Sequence, residues 1–389
     1  MQTLEAKIER LMNNVIQSKE AVGANILILH KGQELYHKVF GLADKELQLP
    51  MKRDTIFRLF SMTKPVTACA TMILVERGEL DLQDPVSKYL EGFQNQTVWT
   101  EEGLVPVERE VTIFDLLNMT SGIPYPDLSF PTGVMMDQLF SKIKEQFQLG
   151  NPTSTLEYCN QIGKIPLSFQ PGCRWQYGLS ADILGGIIEV ISKKSYGAFL
   201  KDEIFDPLHM KDTGFFVPKE KEDRFAVNYY FDEKKKDLLP FLEQFLGLEG
   251  YGEDVSFESG GAGLVSTIDD YKNFAQMLLQ GGTYQGIRIL GKHTVDFMIQ
   301  SRVPESQREA YRWGSNLGYG YGCLMRILED SGAAANLGSI GEFGWDGWTG
   351  NYVTIAPREE LVILYFIQRA GAGTSPAVRT LRNIVYGEL

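Results

Sequence analysis

Histidine is scarce in this chain, and cysteine and long apolar runs are no more plentiful. The 389 residues hold four histidines, His30, His37, His209 and His293, scattered along the sequence. No Gly-x-Ser-x-Gly elbow occurs, which argues against a Ser-His-Asp enzyme. Clustered His, Cys or carboxylate ligands are missing too, which argues against a zinc hydrolase. The four cysteines, Cys69, Cys159, Cys173 and Cys323, form no Cys-x-x-Cys pair and read as buried free thiols. No run approaches the roughly 20 apolar residues that span a bilayer. Residues 1–22 place Leu4, Ile8, Leu11, Met12, Val15 and Ile16 at helical spacing with charges between them. That is an amphipathic helix and not a signal peptide, so a cytoplasmic protein is expected. Cationic charge is also in deficit: 38 Lys and Arg against 50 Asp and Glu, a net charge of −12. Neither nucleic acid nor an anionic membrane favours such a surface. No metal or cofactor is expected, and oligomeric state is left open.

What the sequence does contain is organised around residues 54–65, Asp-Thr-Ile-Phe-Arg-Leu-Phe-Ser-Met-Thr-Lys-Pro. An apolar approach reaches Ser61, then Lys64 three positions on, then Pro65. Val66, Cys69, Met72, Ile73 and Glu76 follow at steps of three and four, which predicts a helix starting at or just after Ser61. Pro65 fits only near such a start. Ser61 and Lys64 then share one face, with Cβ atoms roughly 5–6 Å apart. The helix dipole disfavours a protonated amine there, and a partly neutral lysine beside a hydroxyl makes a nucleophile without histidine. A second Ser-x-x-Lys, Ser141/Lys144, lies on a charged amphipathic segment and reads as a solvated face.

The expected architecture is α/β (α+β): an antiparallel-dominated sheet flanked by helices, plus a mostly helical lobe. Residues 24–30 and 33–40 read as a hairpin around Lys31-Gly32, and 338–344, 350–356 and 361–368 as late strands. Helices are expected over 111–119, 181–192, 196–204, 267–279 and 376–387, the fourth opened by a Ser266/Thr267 cap. The sheet unit would comprise residues 1–60 and 311–389 and the helical unit 61–310, with the site between them. The charge run 231–237 reads as a solvated turn.

Seventeen tyrosines compete for the role of partner to Ser61. Tyr158 and Tyr271 each stand two before an asparagine, without a distinctive setting. Tyr177 lies in a turn entering a helix, at a pocket edge or in the core. The glycine-rich stretch from Gly341 to Gly350, holding Trp345, Gly347 and Trp348, reads as a bulged hairpin or a place of close approach. Tyr125, Phe130, Trp175, Trp313, Tyr319 and Tyr321 are pocket-lining or core candidates.

In order along the chain, these segments resemble the serine β-lactamase and penicillin-binding-protein superfamily. The similarity is to its branch of class C β-lactamases, DD-peptidases and related carboxylesterases. It rests on DTIFRLFSMTKPVTA, ERGELDLQDPVSKYL, VTIFDLLNMTSGIP, QPGCRWQYGLSADILG, IFDPLHMKDTGF, GGAGLVSTIDDYKNFAQMLLQGG, LGYGYG and FGWDGWTGNYV, nearly the whole chain. The resemblance implies a β-lactamase/transpeptidase-like fold, Ser61 as nucleophile with Lys64 beside it, and Tyr177 as the tyrosine of the second motif. Trp345-Asp346-Gly347 stands where β-lactamases have Lys-Thr-Gly and related esterases often have Trp-x-Gly, so Trp345 and Gly347 are expected to meet substrate, and Tyr125, as a pocket-lining aromatic, is expected to do so too. The oxyanion hole would use the backbone N–H groups of Ser61 and Trp348.

Two departures bear on substrate. The second motif reads Tyr177-Gly178-Leu179, and leucine cannot supply the amide found in lactamases. The third has Trp345 in place of a cation. A further change, Met119-Thr-Ser-Gly122, replaces the usual histidine of a neighbouring segment. The first two changes favour neutral esters over penicillins. The expected activity is a serine hydrolase working through a Ser61 acyl-enzyme on small or apolar esters. The alternatives are a class C-like β-lactamase or D-amino-acid peptidase, and a non-catalytic binding protein on the same fold. The expected partner is a small-molecule ester, amide or lactam.

Overall fold

The computed structural model describes residues 3–241, 248, 250–304, 307, 311 and 316–389. Helix α1, Leu4–Gln17, begins at a Thr3 cap whose side chain accepts from Ala6 N. Strands β1, Gly23–His30, and β2, Gln33–Asp44, follow as an antiparallel hairpin. Its turn residues Lys31 and Gly32 both have positive φ, 52° and 74°, which matches the twist of the flanking strands.

The sheet is completed from far along the chain. With β3, Leu49–Pro50, the late strands are β4, Tyr319–Tyr321; β5, Arg326–Leu328; β6, Phe343–Asp346; β7, Tyr352–Ala356; and β8, Leu361–Phe366. They form one antiparallel sheet in the order β4-β5-β6-β7-β8-β1-β2-β3, with β8 between β7 and β1. Strands β1 and β8 are almost wholly apolar because both faces of the sheet are covered. Ile26, Ile28, Ile363 and Tyr365 pack against Ile8 and Met12 of α1 and Leu381 and Val385 of the last helix, Pro376–Tyr386. The alternate residues Leu27, Leu29, Val362 and Leu364 face the main core. The period of two assigns each side chain its layer.

On that second face lie helix α2, Thr63–Glu76, and the helix Ile268–Leu279. Thr267 caps the latter by accepting from Asp270 N. Behind α2 packs α3, Ser180–Ser192. Short strands Phe57–Arg58 and Val265–Ser266 pair and lead the chain into Ser61. Among the described residues no helix is long and apolar enough to cross a membrane.

Several expectations need correction. The expected strand 338–344 starts late, at Phe343, because Ser339–Glu342 forms a turn with Gly341 at φ 90°. Strands β4 and β5 and the helices Pro131–Gln148, Thr155–Gly163 and Lys292–Met298 were not read from the sequence; several are short or lack clean periodicity. The helix expected over 196–204 is α-helical only to Leu200, then π-helical to Phe205. Cys173 is exposed, whereas Cys69, Cys159 and Cys323 are buried. The charge run 231–237 is the solvated turn expected, here of a small hairpin, where Asp232 accepts from Lys234 N and Lys235 N. Trp313 lies outside the described residues.

Candidate active site

Ser61 sits in a 3-10 turn, Phe60–Met62, that runs straight into α2. The preceding Phe60 is held at φ 46°, a left-handed conformation that a bulky residue adopts only under constraint. The constraint is visible. Phe60 is buried among Leu248 and Ala262, with the Trp348 ring 5.2 Å away. The carbonyl of Arg58 accepts from Asn351 Nδ2 at 2.6 Å, Thr349 Oγ1 at 3.2 Å and Gln368 Nε2 at 3.2 Å. Tyr271 OH donates to Met62 O at 2.9 Å from below. The turn that carries Ser61 is thereby fastened to the sheet on one side and to the helix Ile268–Leu279 on the other.

Lys64 points inward from the first turn of α2 and is wholly buried. Its Nζ lies 3.2 Å from Ser61 Oγ, 2.9 Å from Tyr125 OH and 2.8 Å from Gly261 O. Burial pulls its titration down to about 7, against the opposing pull of Asp182 and Asp346. The Gly261 carbonyl can only accept, so a neutral amine keeps one N–H there, can give the other to Tyr125, and turns its lone pair to Ser61.

Tyr177 comes from the turn before α3. Its ring lies 4.7 Å from Lys64 Nζ and its hydroxyl accepts from Trp345 Nε1 at 3.0 Å. Burial raises its titration, which hydrogen bonds with Ser61 and Trp345 partly offset. Tyr177 and Lys64 therefore move in opposite directions, and only the amine approaches neutral pH. Tyr177 stays in place because its neighbours are clamped: a Cβ on Gly178 would lie 2.0 Å from Ile123 O. Gln176 N donates to Met119 O at 2.9 Å, and Ser121 Oγ lies 2.8 Å from Ser180 Oγ. This contact also carries Tyr125, whose ring stands 5.5 Å from that of Tyr177. Tyr125 thus touches the lysine itself, nearer the centre than a pocket-lining residue would be.

Strand β6 brings up the third motif. Trp345 is buried, 2% exposed, between the rings of Tyr177 and Tyr321 at 5.5 and 5.3 Å. Asp346 pairs with the buried Arg326 at 2.6 Å. A Cβ on Gly347 would meet Leu59 O at 2.3 Å, so only glycine lets this strand end reach the turn that carries Ser61. Trp348 follows at that turn, packed on Phe60 and Phe241. Leu179 is buried.

Most other candidates lie elsewhere. Ser141 and Lys144 are exposed on the helix Pro131–Gln148. Tyr158 is stacked on Phe257 in the core. His37 bonds Asn25, and His209 and His293 are exposed. Trp175 and Tyr321 are buried beside the site, Trp175 stacked 6.2 Å from the Tyr177 ring and Tyr321 against Trp345, whereas Tyr319 is a core aromatic and Phe130 stands at the N-cap position of a helix. Sequence reasoning missed Asp182, Gly261, Asn351 and Gln368, whose only local signal was the Gly-Gly-Ala-Gly run at 260–263.

A helix-flanked antiparallel sheet with this Ser-Lys-Tyr grouping against its strand β6 defines the serine hydrolases related to β-lactamases and penicillin-binding proteins. The chain belongs to the Beta-lactamase family, whose profile matches residues 4–387. It is 30% identical to Esterase EstB of Burkholderia gladioli, over 99% of this chain and 95% of that protein. It is 27% identical to a putative D-alanyl-D-alanine carboxypeptidase of Salmonella typhimurium, over 87% of this chain and 77% of that protein. Among solved structures, EstCE1, described as a hydrolase with promiscuous acyltransferase activity, superposes with a TM-score of 0.82 at 25% identity. The match covers 99% of this chain and 98% of the other.

Proposed function

We propose that the protein hydrolyses small or apolar carboxylic esters by a two-step acyl transfer through Ser61. The observation that carries this reading is a buried amine, titrating near 7, placed 3.2 Å from Ser61 Oγ. Neutral Lys64 takes the Ser61 proton as the oxygen attacks the ester carbonyl, and the N–H groups of Ser61 and Trp348 bind the oxyanion. Such donors are typically worth about 3–4 kcal/mol each. The alcohol leaves with the proton returned from Lys64 through the Tyr177 and Tyr125 hydroxyls. Water then repeats the sequence on the acyl-enzyme. Tyr177, with its titration raised, acts as a neutral relay and not as the base.

Preference for esters over β-lactams rests on charge. The Trp345 N–H is engaged by Tyr177, and the nearby Arg326 is bound to Asp346. Leu179 adds no amide. Among the described residues, a substrate carboxylate is thus offered no cation at the third motif that is not already paired. Esterase EstB, at 30% identity, supports the same reading. We also place the cleft between a sheet unit, 1–60 and 311–389, and a helical unit, 61–310.

The test is incubation with p-nitrophenyl acetate and butyrate and with a fluorophosphonate. Intact mass should show one adduct, mapped to Ser61 and absent from Ser61→Ala. An adduct on Ser141 refutes the assignment, nitrocefin turnover equal to ester turnover supports the lactamase alternative, and no adduct at all points to a binding protein.

A further inference from the structure

Asp182 has no place in the mechanism above, yet it is one of the most deeply buried carboxylates in the chain, 2% exposed on the first turn of α3. Its Oδ1 accepts from Ser259 Oγ and from Gly261 N at 3.1 Å. Both donors are neutral, and among the described residues no Lys, Arg or His forms an ion pair with it. A buried charge left so lightly compensated is costly, which calls for a reason to keep it.

The 259–262 turn supplies the reason. Ser259 Oγ also accepts from Ala262 N at 3.0 Å. The Gly260 carbonyl accepts from Thr67 Oγ1 of α2 at 2.6 Å, and the Gly261 carbonyl from Lys64 Nζ at 2.8 Å. The turn therefore bridges α3 to the face of α2 that carries the lysine. Its glycines permit the closeness: a Cβ at Gly260 would lie 2.2 Å from Ala181 O, and one at Gly261 2.6 Å from Asp182 Oδ2.

We propose that Asp182 is a positioning residue for Lys64, holding the amine through the 259–262 turn and supplying the counter-charge that it faces. This rests on the reading of Lys64 as the base. The groups facing Lys64 are Ser61 on its own turn, Tyr125 and Tyr177 from the two loops, Asp182 on α3 and Asp346 on β6. Asp346 is already matched by Arg326, which leaves Asp182 as the carboxylate facing Lys64 without an ion-pair partner among the described residues; burial raises its titration, and Lys64, Ser259 and Gly261 N–H pull it back toward the charged form. Asp182 in turn faces Lys64, Tyr125, Tyr177, Tyr196 and Cys159. None of the last four is charged near neutral pH, since burial raises each. Removing the carboxylate charge disfavours the ammonium form, so Lys64 should release its proton at lower pH.

The experiment compares wild type with Asp182→Asn, which preserves an acceptor oxygen for Ser259 and Gly261. Fluorophosphonate labelling of Ser61 and kcat/KM for p-nitrophenyl butyrate are followed from pH 5 to 9. The expected result is an acid limb moved down by about one pH unit and a plateau lowered about tenfold or more, with KM within about twofold. A folded variant whose limb and plateau match wild type overturns the proposal. Should Asp182→Asn fail to fold, Ser259→Ala keeps the charge and loosens the turn. It should lower the plateau without moving the limb downward, and wild-type behaviour overturns the proposal there as well. If wild type itself lacks a Ser61 adduct or an acid limb, the reading of Lys64 as base fails and takes this inference with it. A normal wild type with an unshifted variant removes the role of Asp182 alone.

Discussion

The indole N–H of Trp345 donates to the phenol oxygen of Tyr177 at 3.0 Å, across 168 residues of sequence. The tryptophan that the sequence marks as a substrate contact thus also bonds the tyrosine of the second motif. Trp345→Phe keeps the ring and removes the donor. A hydrogen bond of this kind is worth about 1 kcal/mol, so kcat should fall roughly five- to tenfold with KM little changed. A rise in KM at constant kcat would instead make Trp345 a substrate contact. Steady-state kinetics on p-nitrophenyl butyrate separate the two.

Activity should depend on pH through Lys64. In the proposed mechanism the reactive form of the amine is neutral, so kcat/KM should rise as pH passes about 7 and level above it. A profile that falls through that range would reverse the assignment.

The same amine weakens the fold. It titrates near 7 when folded, against an ordinary value of 10.5, so the unfolded chain binds more protons between those values. Stability therefore rises with pH across that window. Lys64→Met should melt higher than wild type, with the largest gain below pH 7 and a fading one toward pH 10. Calorimetry at pH 6 and pH 9 checks the sign. The variant should be inactive at both.

Two glycines fix how closely the site's walls approach. Gly178→Ala places a methyl 2.0 Å from Ile123 O, and Gly347→Ala places one 2.3 Å from Leu59 O. Backbone must shift in each case. Both variants should lose most esterase activity, and a crystal structure should show Tyr177 displaced in the first and the third-motif strand moved from Ser61 in the second. Full activity in either would mean that these loops yield without consequence.

Away from the site, Arg382 of the last helix is buried with Glu342, Tyr319 and Tyr352 as partners. Arg382→Met leaves that carboxylate buried without its cation, held only by neutral donors such as Tyr386 OH and Ser339 N, a change worth about 3–5 kcal/mol. The denaturation midpoint should drop accordingly, while Ser61 labelling of the folded fraction persists.

The sequence by itself determined what covalent nearness dictates. Ser61 and Lys64 share a helix turn because they are three residues apart, and the opening hairpin and the amphipathic α1 follow from their periodicities. The ordered blocks from Ser61 to Trp345 identified the superfamily. Tertiary structure alone decided the rest, since it depends on what surrounds each group. Burial of Lys64 lowers its titration, burial of Tyr177 raises its own, and Trp345 gives its N–H to a phenol. Asp182 is linked to the lysine through Gly261, whose N–H bonds the carboxylate and whose carbonyl bonds the amine, only because the 259–262 turn folds between α2 and α3. Desolvation and through-space charge have no period in a sequence, so they became readable only once the chain was packed.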